Sequence, residues 1–126
     1  MSGMNFRSNR ARILAVDNAL MFLNSLKKFL DGQPYDLSCA TSGQEALAFL
    51  DDNSVDLILL DVEMPGMNGY ELAGRIRQRG IRAPIVFISA NSEKEDLEKA
   101  ANAGAAGVLP KPFRASQLIA KIKEFV

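Results

Sequence analysis

Four places in the sequence carry groups suited to handling phosphate, and each closes or follows an apolar run. Asp17-Asn18 follows "RILAV", Asp61 follows "VDLILL", Ser89-Ala90 lies at the end of "PIVFIS", and Lys111-Pro112 follows "GVL". Carboxylates hold hard cations such as Mg²⁺, which demand oxygen ligands. A hydroxyl and an ammonium suit the oxygens of a transferring phosphoryl group. An aspartate can itself be the nucleophile and form an acyl phosphate. Asn18 complicates the first stretch, because its amide has the shape of a carboxylate without the charge. Asp17-Asn18 therefore reads as half a metal site, an altered metal site, or turn and helix-cap chemistry.

The rest of the composition narrows the chemistry. There are no histidines and one cysteine, Cys39. Cys/His zinc sites, Ser-His-Asp triads and Cys-His dyads are thereby excluded. A lone cysteine forms no internal disulfide, which fits a reducing cytoplasm. Lys+Arg and Asp+Glu balance at 15 each, which argues against nucleic acid or membrane as a partner drawn by bulk charge. No apolar run approaches the roughly 20 residues that span a bilayer. At 126 residues, the chain suits one domain with a real core. The opening "MSGMNFRSNRAR" has arginines without an apolar stretch behind them. It reads as a flexible tail over residues 1–11 rather than a secretory signal, with the domain beginning at residue 12.

Those four places need elements to bring them together, and the patterning supplies them. Strand-like runs fall at 12–16, 35–40, 55–60, 84–89 and 107–109. Helical patterns fall between and after them. Leu20, Leu23, Leu26 and Leu30 recur at helical spacing, widened by Phe22 and Phe29, and Asp31-Gly32 ends that helix. Further helices are expected over 42–53, 70–78, 92–104 and 114–125. The second opens with the capping box Ser42/Glu45 and the fourth with Ser92/Glu95. Gly104 fits a C-terminal cap, and Leu118, Ile122 and Phe125 face inward on the last helix. Cys39, Phe29, Phe87 and Phe125 read as core. Met64, Met67 and the glycines beside them read as loop geometry, and the charges of "EKEDLEK" as a solvated face. Five strand–helix repeats with short connections imply a parallel α/β sheet with right-handed crossovers. In such sheets ligands bind beyond the carboxyl ends of the strands, where all four places lie.

"LILLDVEMPGMNGYEL", with "ISA" and "GVLPKPF" in this order, resembles the bacterial response-regulator receiver domain, over residues 12–126. The resemblance implies a doubly wound five-stranded parallel sheet, flavodoxin-like, of order 2-1-3-4-5 with helices on both faces. It implies Asp61 as phosphoacceptor, phosphorylated by a histidine kinase or phosphotransfer protein. It implies Mg²⁺ held by Asp17, Asn18, Asp61 and the backbone carbonyl of Glu63. Ser89 and Lys111 would bind the phosphoryl group, Ala90 would leave it accessible, and Lys111-Pro112 would be cis. The implied protein is a cytoplasmic signalling module, monomer or weak dimer, acting on an output domain or effector, free-standing or within a longer regulator.

Two residues depart from the family pattern. Asn18 stands where a second acid is usual, which implies weaker Mg²⁺ binding; the Glu63 side chain could restore a carboxylate, repel the phosphoryl group or steer water. Val108 stands where Tyr or Phe is usual, so a switch would run through the Ser89 loop and the next helix. Two rivals remain at this point. One is a degenerate receiver that binds partners without phosphorylation. The other is a phosphatase of the haloacid-dehalogenase type, which wants a second Asp where Glu63 stands and a cap domain for which there is no room.

Overall fold

The computed structural model describes residues 10–90 and 94–126. Five strands and five helices alternate along them. They are β1 (Ala11–Val16), α1 (Leu20–Phe29), β2 (Tyr35–Ala40), α2 (Gly43–Asp52), β3 (Leu57–Asp61), α3 (Gly69–Gln78), β4 (Ile85–Ser89), α4 (Lys94–Asn102), β5 (Gly107–Pro110) and α5 (Ala115–Lys123). The strands form one sheet in the order β2-β1-β3-β4-β5. Every pairing is parallel. This is the flavodoxin-like fold that the resemblance implies.

Strand parity sorts the core into two layers, since alternate side chains leave opposite faces of a sheet. Ile13, Ala15, Leu57, Leu59, Val86 and Ile88 pack with Leu23 and Leu26 of α1 and Leu118 and Ile122 of α5. Leu14, Val16, Ile58, Leu60, Ile85 and Phe87 pack with α2, α3 and Ala100 of α4. All five residues of β3 are buried, as a central strand covered on both faces requires. Cys39, Phe29 and Phe125 join the first layer as partly buried residues.

Several boundaries differ from the sequence reading. β1 starts at Ala11, one residue inside the expected tail, and residues 1–9 of that tail lie outside the described residues. β3 runs from Leu57 to Asp61, so the aspartate is the last strand residue. The preceding Asp56 instead ties β3 to β1: its carboxylate accepts from Arg12 N at 2.8 Å, and its own N–H donates to Arg12 O at 2.7 Å. Leu20 is 60% exposed, and its neighbour Met21 84%. Leu20 is the first helical residue, before the turn that meets the sheet, so helical spacing alone misplaces it.

The helix ends follow local chemistry. Ser42 Oγ accepts from Glu45 N at 3.1 Å, as the capping box requires, but Glu45 reaches back to Thr41 N, one residue earlier than the reciprocal arm usually ends. Asn68 caps α3 by accepting from Glu71 N at 2.9 Å, which starts that helix one residue before the expected 70. Gly104 has φ +83° and closes α4 with Gly104 N to Ala101 O and Ala105 N to Ala100 O, both 3.0 Å. That is the Schellman arrangement, and it requires the left-handed backbone that glycine adopts freely. The Ser92/Glu95 capping box lies outside the described residues.

Candidate functional site

The carboxyl ends of β1, β3 and β5 bring three charged side chains together. Asp17 directly follows β1 and is 2% exposed. Its Oδ1 accepts from Ala19 N at 2.8 Å and its Oδ2 from Lys111 Nζ at 3.0 Å. Asp61 closes β3 and is buried; its Oδ1 lies 3.8 Å from Lys111 Nζ. Glu63 N donates to the same oxygen at 3.3 Å. Lys111 directly follows β5, and its N–H donates to Ser89 O at 2.7 Å. The Lys111-Pro112 peptide bond is cis.

The other expected site residues stand around this triad. Ser89 is buried at the end of β4, one residue past Ile88, the register partner of Asp61. Asn18 and Ala90 are exposed. Asn18 does not cap α1: the N-cap is Ala19, and Asp17 supplies the local turn bond instead. The Glu63 side chain is exposed, while its backbone borders Asp61. Val108 lies on the other face of the sheet, packed against the core layer where Phe87 meets Tyr70 edge to face at 5.1 Å.

Burial is the main cause that lifts the Asp61 carboxyl, since a desolvated carboxylate disfavours its charge. The Asp17 carboxylate adds to the rise, Lys111 and the Glu63 N–H oppose it, and the Glu63 carboxylate adds a little. The net effect raises it from 3.8 to about 6. At neutral pH it is still mainly an anion, and so a competent nucleophile or ligand.

Two contributors escaped the sequence reading. Lys111 Nζ sits 4.0 Å from the centroid of the Phe22 ring, a cation–π contact. Phe22 in turn meets Phe113 edge to face at 5.9 Å. Helical spacing marked Phe22 only as part of an apolar stripe. The other is Gly69: a Cβ there would stand 2.4 Å from Asp61 O and 2.9 Å from Val62 Cα. The first turn of α3 can therefore press against the end of β3 only because residue 69 lacks a side chain. A depression of about 250 Å³ beside Lys111 is lined by Phe22, Ser25, Phe29, Pro112 and Phe113. A larger one, about 440 Å³, lies at the amino ends of β3 and β4, and neither Asp17 nor Asp61 lines it.

Comparison with known proteins agrees with this fold. The family model described as response regulator receiver domain matches residues 13–123. The transcriptional regulatory protein CrdR of Helicobacter pylori is 37% identical over 115 residues, 90% of this chain and 54% of that protein. CpxR of Klebsiella pneumoniae is 38% identical over 112 residues, 89% of this chain and 47% of that protein. The chain thus spans about half the length of the curated relatives it matches. Among solved structures, the chemotaxis response regulator CheY4 of Vibrio cholerae superposes with a TM-score of 0.88 at 28% identity, covering 94% of this chain and 100% of that one. A DrrB receiver domain in a BeF3-activated form superposes at 0.82 with 26% identity, covering 92% and 97%. The chain belongs to the response regulator receiver domains of two-component signalling, and is a signalling module rather than a free-standing enzyme.

Proposed function

We propose that Asp61 is the phosphoacceptor of this receiver, charged by a partner histidine kinase or phosphotransfer protein. The observation that carries this reading is the Lys111 ammonium, 3.0 Å from Asp17 and 3.8 Å from Asp61 at the carboxyl ends of the strands. An Asp61 oxygen forms the new O–P bond as the P–N bond of the donor's phosphohistidine breaks, and the departing imidazole takes up a proton. Lys111 balances charge on the phosphoryl oxygens, and the Ser89 hydroxyl donates to one of them. Ala90, small and exposed, leaves that side open.

The donors around the pocket suit Mg²⁺, because all are oxygens: the Asp17 and Asp61 carboxylates, the Asn18 amide and the Glu63 backbone carbonyl. When bound, Mg²⁺ supplies positive charge to the phosphoryl oxygens. Asn18 brings no charge to this set, so the cation is held weakly. Phosphorylation then alters contacts to an output domain or effector through the Ser89 loop, since Val108 has no aromatic ring to move.

The second reading, a receiver that engages partners without phosphorylation, is favoured by the metal donors. Among the described residues, no group of three or more His, Cys, Asp or Glu side chains is placed to hold a metal ion. Titration with Mg²⁺ and beryllofluoride, a phosphoryl mimic, decides between the two. Saturating amide NMR shifts around Asp61 and Ser89, lost in Asp61→Ala, support the first reading. No saturation at tens of millimolar Mg²⁺ overturns it in favour of the second.

A further inference from the structure

We propose that Phe22 is a positioning residue for Lys111, holding its ammonium between Asp17 and Asp61. This deepens the phosphoacceptor reading and rests on it for its purpose. A lysine side chain is long and mobile and loses much rotamer freedom when fixed. Lys111 is 26% exposed, so water competes for its ammonium. Asp17 Oδ2 fixes one direction of approach at 3.0 Å. The face of Phe22, 4.0 Å from Nζ at the ring centroid, fixes a second. A cation over the ring face is attracted by the ring's negative quadrupole.

The ring is itself held in place. Phe113 meets Phe22 at an interplanar angle of 87° and Phe29 at 69°, with centroids 5.9 Å and 6.2 Å apart. Phe22 thus touches the residue on either side of Pro112, the Lys111 ammonium on its face and the Phe113 ring. Helix α1 grips the loop after β5 at two points, and one of them is the charge that the phosphoryl group meets. An aliphatic residue at position 22 would fill the same space without attracting the ammonium. That difference separates a positioning role from core packing alone.

The test uses Phe22→Leu, Phe22→Trp and Phe29→Leu in the whole chain. Phe29→Leu removes a ring that packs on Phe113 but is not the ring beneath Lys111, and so controls for packing. Two quantities are read: the NMR shift of the Lys111 ε-methylene protons, and beryllofluoride affinity at saturating Mg²⁺. In the wild type the ring current is expected to move those protons upfield of an exposed lysine, since Nζ lies 4.0 Å from the ring centroid. Phe22→Leu is expected to return them and to weaken beryllofluoride binding about three- to tenfold. Phe22→Trp, whose face is the better cation partner, and Phe29→Leu are expected to keep both. Wild-type shift and affinity in Phe22→Leu overturn the proposal, as does an equal loss in Phe29→Leu. If Phe22→Leu melts below the assay temperature, Phe22→Met takes its place with the same expectation. A wild type that does not bind beryllofluoride overturns the phosphoacceptor reading and the purpose of the contact. The methylene shift still decides whether Phe22 holds Lys111.

Discussion

Lys111 donates to Asp17 Oδ2 at 3.0 Å, joining the ends of β5 and β1 across 94 positions of chain. The Asp17 carboxylate accepts one other hydrogen bond among the described residues, from Ala19 N, and the residue is 2% exposed. Removing the ammonium therefore leaves a buried charge with half its compensation and a second carboxylate, Asp61, beside it. A buried ion left without its partner destabilises strongly, and the partial exposure of Lys111 reduces the effect. Lys111→Met is expected to lose about 1–3 kcal/mol at pH 7 by urea unfolding. The Asp61 carboxyl should rise further, because Lys111 is the cation holding it down. Unchanged stability in Lys111→Met would show that the buried acids do not depend on the ammonium.

The Asp61 carboxyl gives a pH dependence of definite sign. Its folded value is about 6, above the ordinary 3.8. Between those values the native protein keeps a proton that the unfolded chain has released, so stability falls as pH rises through this window and is level above it. The difference corresponds to about 2–3 kcal/mol at most. Asp61→Asn keeps the shape of the protonated acid and never ionises. In metal-free buffer it is expected to be about 2 kcal/mol more stable than wild type at pH 7, with the two converging near pH 4. Stability curves that stay parallel from pH 4 to pH 7 would contradict the raised carboxyl.

Much of the fold is legible in the sequence. Nearly continuous apolar runs at 57–60 and 85–88 declare central strands, and strand ends in α/β sheets are where sites form. Strand ends read that way pick out Asp17, Asp61, Ser89 and Lys111 as candidates. What stayed hidden depends on angle around an axis or on distant partners. The exposure of Leu20 depends on where α1 first meets the sheet. The exposure of Asn18 depends on how the chain turns after Asp17. The Phe22 ring under Lys111 depends on a packing angle between α1 and the β5–α5 loop, which no local pattern encodes.

Gly69 and Gly74 lie on one helix and predict opposite outcomes for the same change. A Cβ on Gly69 meets backbone atoms of Asp61 and Val62, which cannot swing aside as a side chain can. Gly69→Ala is expected to cost about 2–3 kcal/mol and to weaken beryllofluoride binding by shifting the end of β3. Gly74 has open space around its Cβ position and lies inside α3. Gly74→Ala is expected to stabilise by about 0.5–1 kcal/mol through helix propensity. Thermal melts of the two variants check both; a stable Gly69→Ala would show that β3 and α3 slide apart easily.

Asn18→Asp tests the metal side of the pocket. Asn18 neither caps α1 nor is buried, so a carboxylate there disturbs no existing structure. Two unit charges 4 Å apart interact by about 1 kcal/mol in water and about 4 kcal/mol at an effective dielectric near 20; a divalent cation doubles both, and desolvation of the carboxylate offsets part of the gain. The exposure of Asn18 places it toward the lower figure, because solvent screens it. Mg²⁺ affinity is therefore expected to rise about five- to tenfold, read by amide NMR shifts in a Mg²⁺ titration. Asn18→Ala should do the reverse more mildly, since it removes an amide oxygen but no charge. The pair of variants separates charge from coordination. A gain in Asn18→Asp without a loss in Asn18→Ala means the position acts through its field alone. No change in either means that Asp17 and Asp61 hold the cation unaided, or that Glu63 already supplies the missing carboxylate, and Glu63→Gln then distinguishes those two.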